Sequence, residues 1–306
     1  MIRALVKSVL FYCLFLLAMP GLFSACVQND PTINVPASPP PVKAIHQPRV
    51  ALVLGCGGAR GYAHLGVLQA LEEAHIPVDV IVGASAGSVV AAIYADNQNF
   101  LNTYNIMMPA GTWDFADINN FPGYSGIIKG DQLESFLMQN IQAKNFNELK
   151  TPLIVATTDI NSGKTYVIES GPIAPAILAS AAVPGVIKPV HLYGHWLVDG
   201  GVADPVPVDL AKQLHPKIII AVNLVNLSSN AMPASAYGQY ELSYDIMWQR
   251  LTSLSLQGAD VVISPKVGDV GTFDLSKKHD MYLAGLQAGR QAIPRIRNAL
   301  EKIAKQ

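Results

Sequence analysis

Residues 50–61 read Val50-Ala51-Leu52-Val53-Leu54-Gly55-Cys56-Gly57-Gly58-Ala59-Arg60-Gly61, five apolar residues running into a glycine-rich loop. An unbroken apolar run of this length suits a strand covered on both faces. Tyr62–Ala74 follows with Leu65, Leu68 and Leu71 at helical spacing, and Pro77 closes that helix. Val78–Val82 reads as a second buried strand, and Gly83-Ala84-Ser85-Ala86-Gly87 leads into an apolar helix over Ser88–Ala95. Strand, glycine loop, helix, strand, tight turn and helix predict an α/β fold with a mainly parallel central sheet in a three-layer α/β/α arrangement.

Outward from that core the pattern continues. Leu153–Thr158 and Thr165–Ile168 flank Asn161-Ser162-Gly163-Lys164, a hairpin signal. Ile173–Ala182 predicts a helix ended by Pro184-Gly185. Trp196-Leu197-Val198 enters Asp199-Gly200-Gly201, Lys217–Leu224 and Asp260–Ser264 are further strand candidates, and Ser276–Lys305 is helical with a kink expected at Pro294. With no internal repeat and no second linker, one domain is expected over 49–306. Residues 100–129, with Met107, Met108, Trp113, Phe115, Phe121 and Tyr124, read as a loop-rich segment that lines an acyl channel, touches membrane or simply caps the sheet.

Upstream lie two segments that cannot belong to the core. In residues 1–25, Arg3 and Lys7 precede the apolar run Val9–Met19, broken by Pro20-Gly21, which is the order of an export signal. The run is shorter than the roughly 20 residues that cross a bilayer. Leu22-Phe23-Ser24-Ala25-Cys26 resembles the bacterial lipoprotein box, in which the cysteine is acylated; ordinary secretion and an uncleaved anchor are the alternatives. Val27 after Cys26 favours outer-membrane delivery within the cell envelope. Residues 26–48 then hold six prolines and form a tether without a core of their own. Lipidation at Cys26 would leave Cys56 as the mature chain's one cysteine, so no internal disulfide is expected.

Composition excludes some functions. Half of the 306 residues are hydrophobic and 14% are charged, against roughly 25% in ordinary globular chains. The formal net charge of −1 gives no basic footprint, so nucleic acid is not an expected partner.

The chemistry concentrates in three places. Gly83-x-Ser85-x-Gly87 between a strand and a helix projects a serine hydroxyl above the sheet edge, and Gly83 and Gly87 permit the strained turn. The Gly55–Gly61 loop departs from the dinucleotide pattern, because Arg60 stands where the third glycine belongs and Asp79 opens the next strand instead of ending it. Its other reading is an oxyanion loop, in which the amides of Gly57, Gly58 and Ala59 stabilise a developing negative charge. Arg60 and Gly61 would support that loop, or Arg60 would contact an anionic substrate. The third place is Asp199-Gly200-Gly201, where an aspartate after an apolar strand can present its carboxylate to Ser85. His191, His195, His215 and His279 are late enough to complete a triad, yet none lies in a glycine-rich turn, and His64 reads as packing or support for the loop. An aspartate base needs burial to raise its proton affinity above the ordinary value of about 3.9.

Gly55-x-Gly57-Gly58-x-Arg60-Gly61, Gly83-x-Ser85-x-Gly87 and Asp199-Gly200-Gly201, in that order, resemble the patatin-like phospholipase family. The resemblance is to its small bacterial branch, related to the catalytic region of neuropathy target esterase. Ala176–Gly185 and Val202–Val208 resemble two further family blocks, so the likeness covers roughly 49–224. It implies a Ser85–Asp199 dyad without histidine, an oxyanion hole at Gly57, Gly58 and neighbouring amides, no metal or organic cofactor, and hydrolysis of lipid acyl esters. Two positions depart from the pattern: Cys56 stands where many members have glycine, and Leu178 where arginine is frequent. The implied partners are a phospholipid or other acyl-ester substrate and a membrane surface reached by the lipid anchor; no protein partner follows. A non-catalytic envelope lipoprotein that binds lipid or a protein is the competing reading.

Overall fold

Val50–Leu54 (β1) is buried along its whole length and pairs in parallel with a strand on either side, so it lies inside the sheet. The computed structural model describes residues 39–40, 47–118, 126–225, 235–268 and 270–304. The export signal over 1–25, Cys26, most of the 26–48 tether, Phe121 and Tyr124 lie outside the described residues. After β1 come Tyr62–Glu73 (α1), Val80–Ala84 (β2), Ala86–Asn97 (α2), Phe100–Met107 (α3), Thr112–Phe115 (α4) and Asp131–Asn140 (α5). Then follow Leu153–Asp159 (β3), Lys164–Ile168 (β4), Ile173–Ser180 (α6), Val190–Leu192 (β5), His195–Val198 (β6) and Val208–Lys212 (α7). The chain continues through Ile218–Val222 (β7), Ala236–Ser255 (α8), Val261–Ile263 (β8) and Lys278–Ala304 (α9).

The strand order is β5-β6-β3-β2-β1-β7-β8, with β4 antiparallel on β3. Strands β3, β2, β1, β7 and β8 run parallel, while β6 is antiparallel to both β3 and β5. The steps from β1 to β2 to β3 go one way from β1, and the step from β7 to β8 goes the other. Right-handed crossovers therefore put α1 and α2 on one face of the sheet and α8 on the opposite one, where Val208 and Ala211 of α7 also pack. This is the three-layer α/β/α arrangement, and β1 is its switch point, where the loops leaving the carboxyl ends diverge and open a crevice.

Side-chain alternation fills both faces. Ala51, Val53, Val80, Val82, Ile154, Ile219 and Ala221 meet Val206, Val208 and Ala211 on one side, with Leu210, Leu214 and Leu256 packed against them. Each large side chain buried this way contributes about 1.5–3 kcal/mol. On the other side α1 lies against α9 at backbone contact. A Cβ added to Gly66 would stand 2.1 Å from Tyr282 O, and one on Gly285 would stand 1.9 Å from Ala63 O.

Several boundaries differ from expectation. Strand β2 starts two residues late because its pairing with β1 begins at Val80 opposite Ala51, while Asp79 turns its carboxylate onto the amides of Arg49 and Val50, 2.8 Å from each. At its other end the pairing runs on to Gly83 opposite Leu54 and Ala84 opposite Ala156, so both belong to the strand. The start of the 100–129 segment is helix rather than loop: Asn99 Oδ1 caps α3 by accepting from Asn102 N, and Phe100 and Tyr104 pack on Tyr282 of α9. The terminal helix starts at Lys278 and holds Pro294 in its interior. Among the described residues no helix is long and apolar enough to cross a membrane.

Candidate active site

Ser85 follows β2 directly and has φ 53°, ψ −126°, a conformation that costs a non-glycine residue about 1–3 kcal/mol. Local hydrogen bonds hold it there. Its N–H donates to Ser180 Oγ at 2.9 Å, and Ser180 in turn donates to Ala156 O at 2.7 Å. Ser88 donates to Ser85 O from both its amide, at 2.9 Å, and its hydroxyl, at 2.7 Å. The flanking glycines are required by close approach: a Cβ on Gly83 would lie 2.7 Å from Ser88 Cα, and one on Gly87 2.0 Å from Leu54 O.

Register brings Asp199 to this serine. On β3, Ala156 is opposite Ala84 of β2 and Thr158 is opposite Val198 of β6, so only Thr157 separates the two partners. Strand β6 runs antiparallel down the edge that β2 vacates, and the residues following Ala84 and Val198 meet head-on. Ser85 Oγ donates to Asp199 Oδ2 at 2.6 Å. Asp199 is fixed by its own amide on Ala182 O at 2.9 Å, by Thr158 Oγ1 donating to its carbonyl at 2.8 Å, and by Gly201 N donating to Oδ1 at 2.7 Å. The Cys56 thiol approaches Oδ1 at 3.9 Å.

Both side chains are nearly enclosed, Ser85 at 7% and Asp199 at 6% exposure. Burial pushes the Asp199 carboxyl up from 3.8 to about 6, against the pull of the hydrogen bonds from Ser85, Gly201 and Cys56. Such a carboxylate is a competent proton acceptor near neutrality.

The glycine loop stands between these groups. Cys56, at its start, touches Asp199, and Gly61, at its end, lies so close to Ala86 that an added Cβ would come within 2.7 Å. Gly58 has φ +54°, and the Ala59 amide donates to Thr272 O at 2.7 Å. Ala59, expected among the oxyanion donors, therefore has its proton committed to another segment. The amides of Gly57 and Gly58 donate to no described residue. Arg60 Nε donates to Val270 O at 2.9 Å, which ties the loop to residues 270–272. His64 is fully buried beneath the loop, its Nε2–H donating to Gly55 O at 2.8 Å, and burial holds its pKa down at about 4. Its Nδ1 has no hydrogen-bond partner among the described residues.

The four later histidines lie elsewhere. His191 packs at a tilt on Trp196, His195 Nδ1 is 3.1 Å from Asp159 Oδ2, His215 follows α7 and His279 lies against Tyr282. Among the described residues no histidine bonds to Ser85 or Asp199, and no group of three or more His, Cys, Asp or Glu side chains is placed to hold a metal ion. Leu178 is buried, with Cδ1 against Gly130. Sequence reasoning missed Ser180, Thr158 and Thr272. A hydroxyl inside the apolar run Ala176–Ala182 was the one available signal for Ser180, whereas Thr272 had none.

The chain is similar to several known proteins. An uncharacterized NTE family protein of Mycobacterium tuberculosis is 35% identical over 187 residues, 60% of this chain and 51% of that protein. Patatin-like phospholipase domain-containing protein 6 of Mus musculus is 31% identical over 229 residues, 72% of this chain and 16% of its own length. Lysophospholipase NTE1 of Coccidioides immitis is 27% identical over 280 residues, 81% of this chain and 18% of that protein. The chain thus spans about half or less of the length of these relatives. Among solved structures, VipD of Legionella pneumophila superposes with a TM-score of 0.48 at 14% identity, covering 85% of this chain and 68% of its own. The family model described as patatin-like phospholipase matches residues 52–212, a span that holds the glycine loop, Ser85 and Asp199. The chain belongs to the patatin-like phospholipase family.

Proposed function

We propose that this protein is a serine acyl-ester hydrolase of lipids, of the phospholipase A or lysophospholipase type, working through a Ser85–Asp199 dyad. The observation that carries the reading is the 2.6 Å hydrogen bond from a strained serine to a buried carboxylate. Ser85 Oγ attacks the ester carbonyl carbon while Asp199 Oδ2 takes the hydroxyl proton. The carbonyl oxygen becomes an oxyanion, held by the amides of Gly57 and Gly58; one such donor is worth about 2.7–4 kcal/mol. Collapse breaks the ester bond, and the leaving alcohol receives the proton from Asp199. Water then gives a proton to Asp199 and attacks the acyl-serine; the acyl–Oγ bond breaks, the fatty acid leaves, and Asp199 returns the proton to Ser85 Oγ.

Family membership and the name lysophospholipase borne by one relative support a lipid ester as the substrate class. The leader and Cys26 support placement in a bacterial envelope, lipid-anchored at the outer membrane; loss of palmitate labelling in Cys26→Ser tests that part. The reaction is tested by product analysis on defined phospholipids and lysophospholipids with wild type and Ser85→Ala. Free fatty acid released by wild type alone is the expected result, and equal release by both would sink the reading.

A further inference from the structure

We propose that Cys56 is a positioning residue for Asp199: its thiol closes the buried side of the carboxylate, keeping water from Oδ1 and leaving Oδ2 to face Ser85. The inference rests on the reading of Asp199 as the base. Cys56 is 1% exposed, and its Sγ lies 3.9 Å from Asp199 Oδ1. A thiol is a weak donor, and at that distance its hydrogen bond adds little. Its bulk matters more. Sγ fills the space beside Gly201, where an added Cβ would be only 2.7 Å away. Beneath it, Cys56 joins Ala84 and Ala156 in an apolar cluster sealed by Leu210 of α7 and Trp248 of α8. Asp199 Oδ1 is therefore bounded by one strong donor, Gly201 N, and by the sulfur 3.9 Å away, in a residue only 6% exposed.

The groups facing this cluster are few. Asp204, from the turn after Asp199, faces Cys56, and the thiol is pushed well above its ordinary range by burial and by Asp199 and Asp204, so it stays protonated. His64, from α1, is neutral and spends its proton on Gly55 O. Ser85, Thr158 and Ser180 supply neutral hydroxyls from the turn after β2, from β3 and from α6. No cation touches Asp199 among the described residues, so its proton affinity is governed by how dry the pocket is and by its donors. Replacing Cys56 with glycine opens space beside a carboxylate and a backbone amide, a polar site that a water can occupy. Replacing it with serine substitutes a stronger donor. Both changes favour the carboxylate and weaken it as a base.

The test is the pH profile of kcat/KM on a soluble short-chain ester for wild type, Cys56→Ser, Cys56→Gly and Asp199→Asn, each checked for wild-type circular dichroism. In both cysteine variants the acid limb should move down by about 0.5–1 pH unit. Plateau kcat should fall about 3–10-fold, following the weaker base, with KM unchanged. If one cysteine variant does not fold, the other carries the test. A limb that stays in place, or moves up, in a folded variant overturns the proposal. Asp199→Asn separates the two readings. An inactive Asp199→Asn with an unmoved limb in the cysteine variants refutes the role of Cys56 alone, whereas an active Asp199→Asn refutes the base itself.

Discussion

Asp199→Asn should abolish hydrolysis and, at the same time, stabilise the fold above neutral pH. The carboxyl is raised from 3.8 to about 6, and burial is the first cause. A group whose folded-state pKa lies above its unfolded value favours the fold most below the unfolded value, and loses that advantage as pH rises through the folded one. Above about pH 7 the folded protein therefore carries a destabilisation of about 3 kcal/mol, taking about 1.4 kcal/mol for each unit of the shift. The isosteric amide has no charge to bury and still accepts from Gly201 N through Oδ1. Its NH2 can donate to Ser85 Oγ, so little hydrogen bonding is lost. Imperfect pairing of the second amide proton trims the gain, leaving about 1–3 kcal/mol. Urea unfolding of wild type and Asp199→Asn near pH 8 and near pH 4.5 reads this directly, as a difference in midpoint at constant slope. The variant should be the more stable near pH 8, and the difference should shrink towards zero near pH 4.5. A variant less stable than wild type near pH 8, or a difference independent of pH, would refute the claim that Asp199 is held charged against its burial.

Gly58→Ala forces a side chain onto φ +54° with its Cβ 2.3 Å from Thr272 O. It should lower kcat by about 10²–10³, the loss expected for one oxyanion donor, with a smaller effect on KM, in steady-state assays on a short-chain ester. Ser180→Ala removes the acceptor of the Ser85 amide, leaves a buried N–H unpaired and should destabilise by about 1–3 kcal/mol in urea unfolding. Because that bond holds the strained turn, kcat should fall as well; an unchanged kcat would show that Ser88 suffices. His215→Ala and His279→Ala should each retain wild-type kcat/KM, and loss of activity in either folded variant would point to a triad instead of a dyad.

The parallel core was legible because its signals are local. A strand covered on both faces must be apolar throughout, and Val50–Leu54 and Ile218–Val222 are. A serine turn between strand and helix must clear the next backbone, which leaves glycine at positions 83 and 87. What escaped notice depends on contacts distant in sequence. Helix α8 has charged and apolar residues mixed around its circumference, so no face announces itself, yet its Trp248 reaches the cluster below Cys56. Sequence alone does not distinguish the Ala59 amide from those of Gly57 and Gly58, because nothing local marks which loop N–H is already bonded. The partner of Ala59, Thr272, is more than two hundred residues away and uses only a carbonyl, which every residue possesses.

The Asp-Gly-Gly motif shows how a local signal can have a non-local cause. An antiparallel β6 delivers its last residue against the end of β2, and the chain has no sheet position left beyond it. It must turn at once, and Gly200–Val202 does so as a short 3-10 turn. A Cβ on Gly200 would stand 2.3 Å from Ala156 O of β3 and 3.3 Å from Ala84 Cβ of β2, so the backbone of the strand that both partners share forbids a side chain there. A Cβ on Gly201 would collide with Cys56 Sγ at 2.7 Å, and its amide is the strong donor to Oδ1. The two glycines thus serve different masters: Gly200 lets β6 end beside Ser85, and Gly201 lets the glycine loop close over the carboxylate. Ser85 and Asp199 are separated by 114 residues, and that distance is free to vary. What cannot vary is the one-residue gap on β3 between the partners of Ala84 and Val198, because a slip of either strand by one residue would turn its terminal side chain to the opposite face.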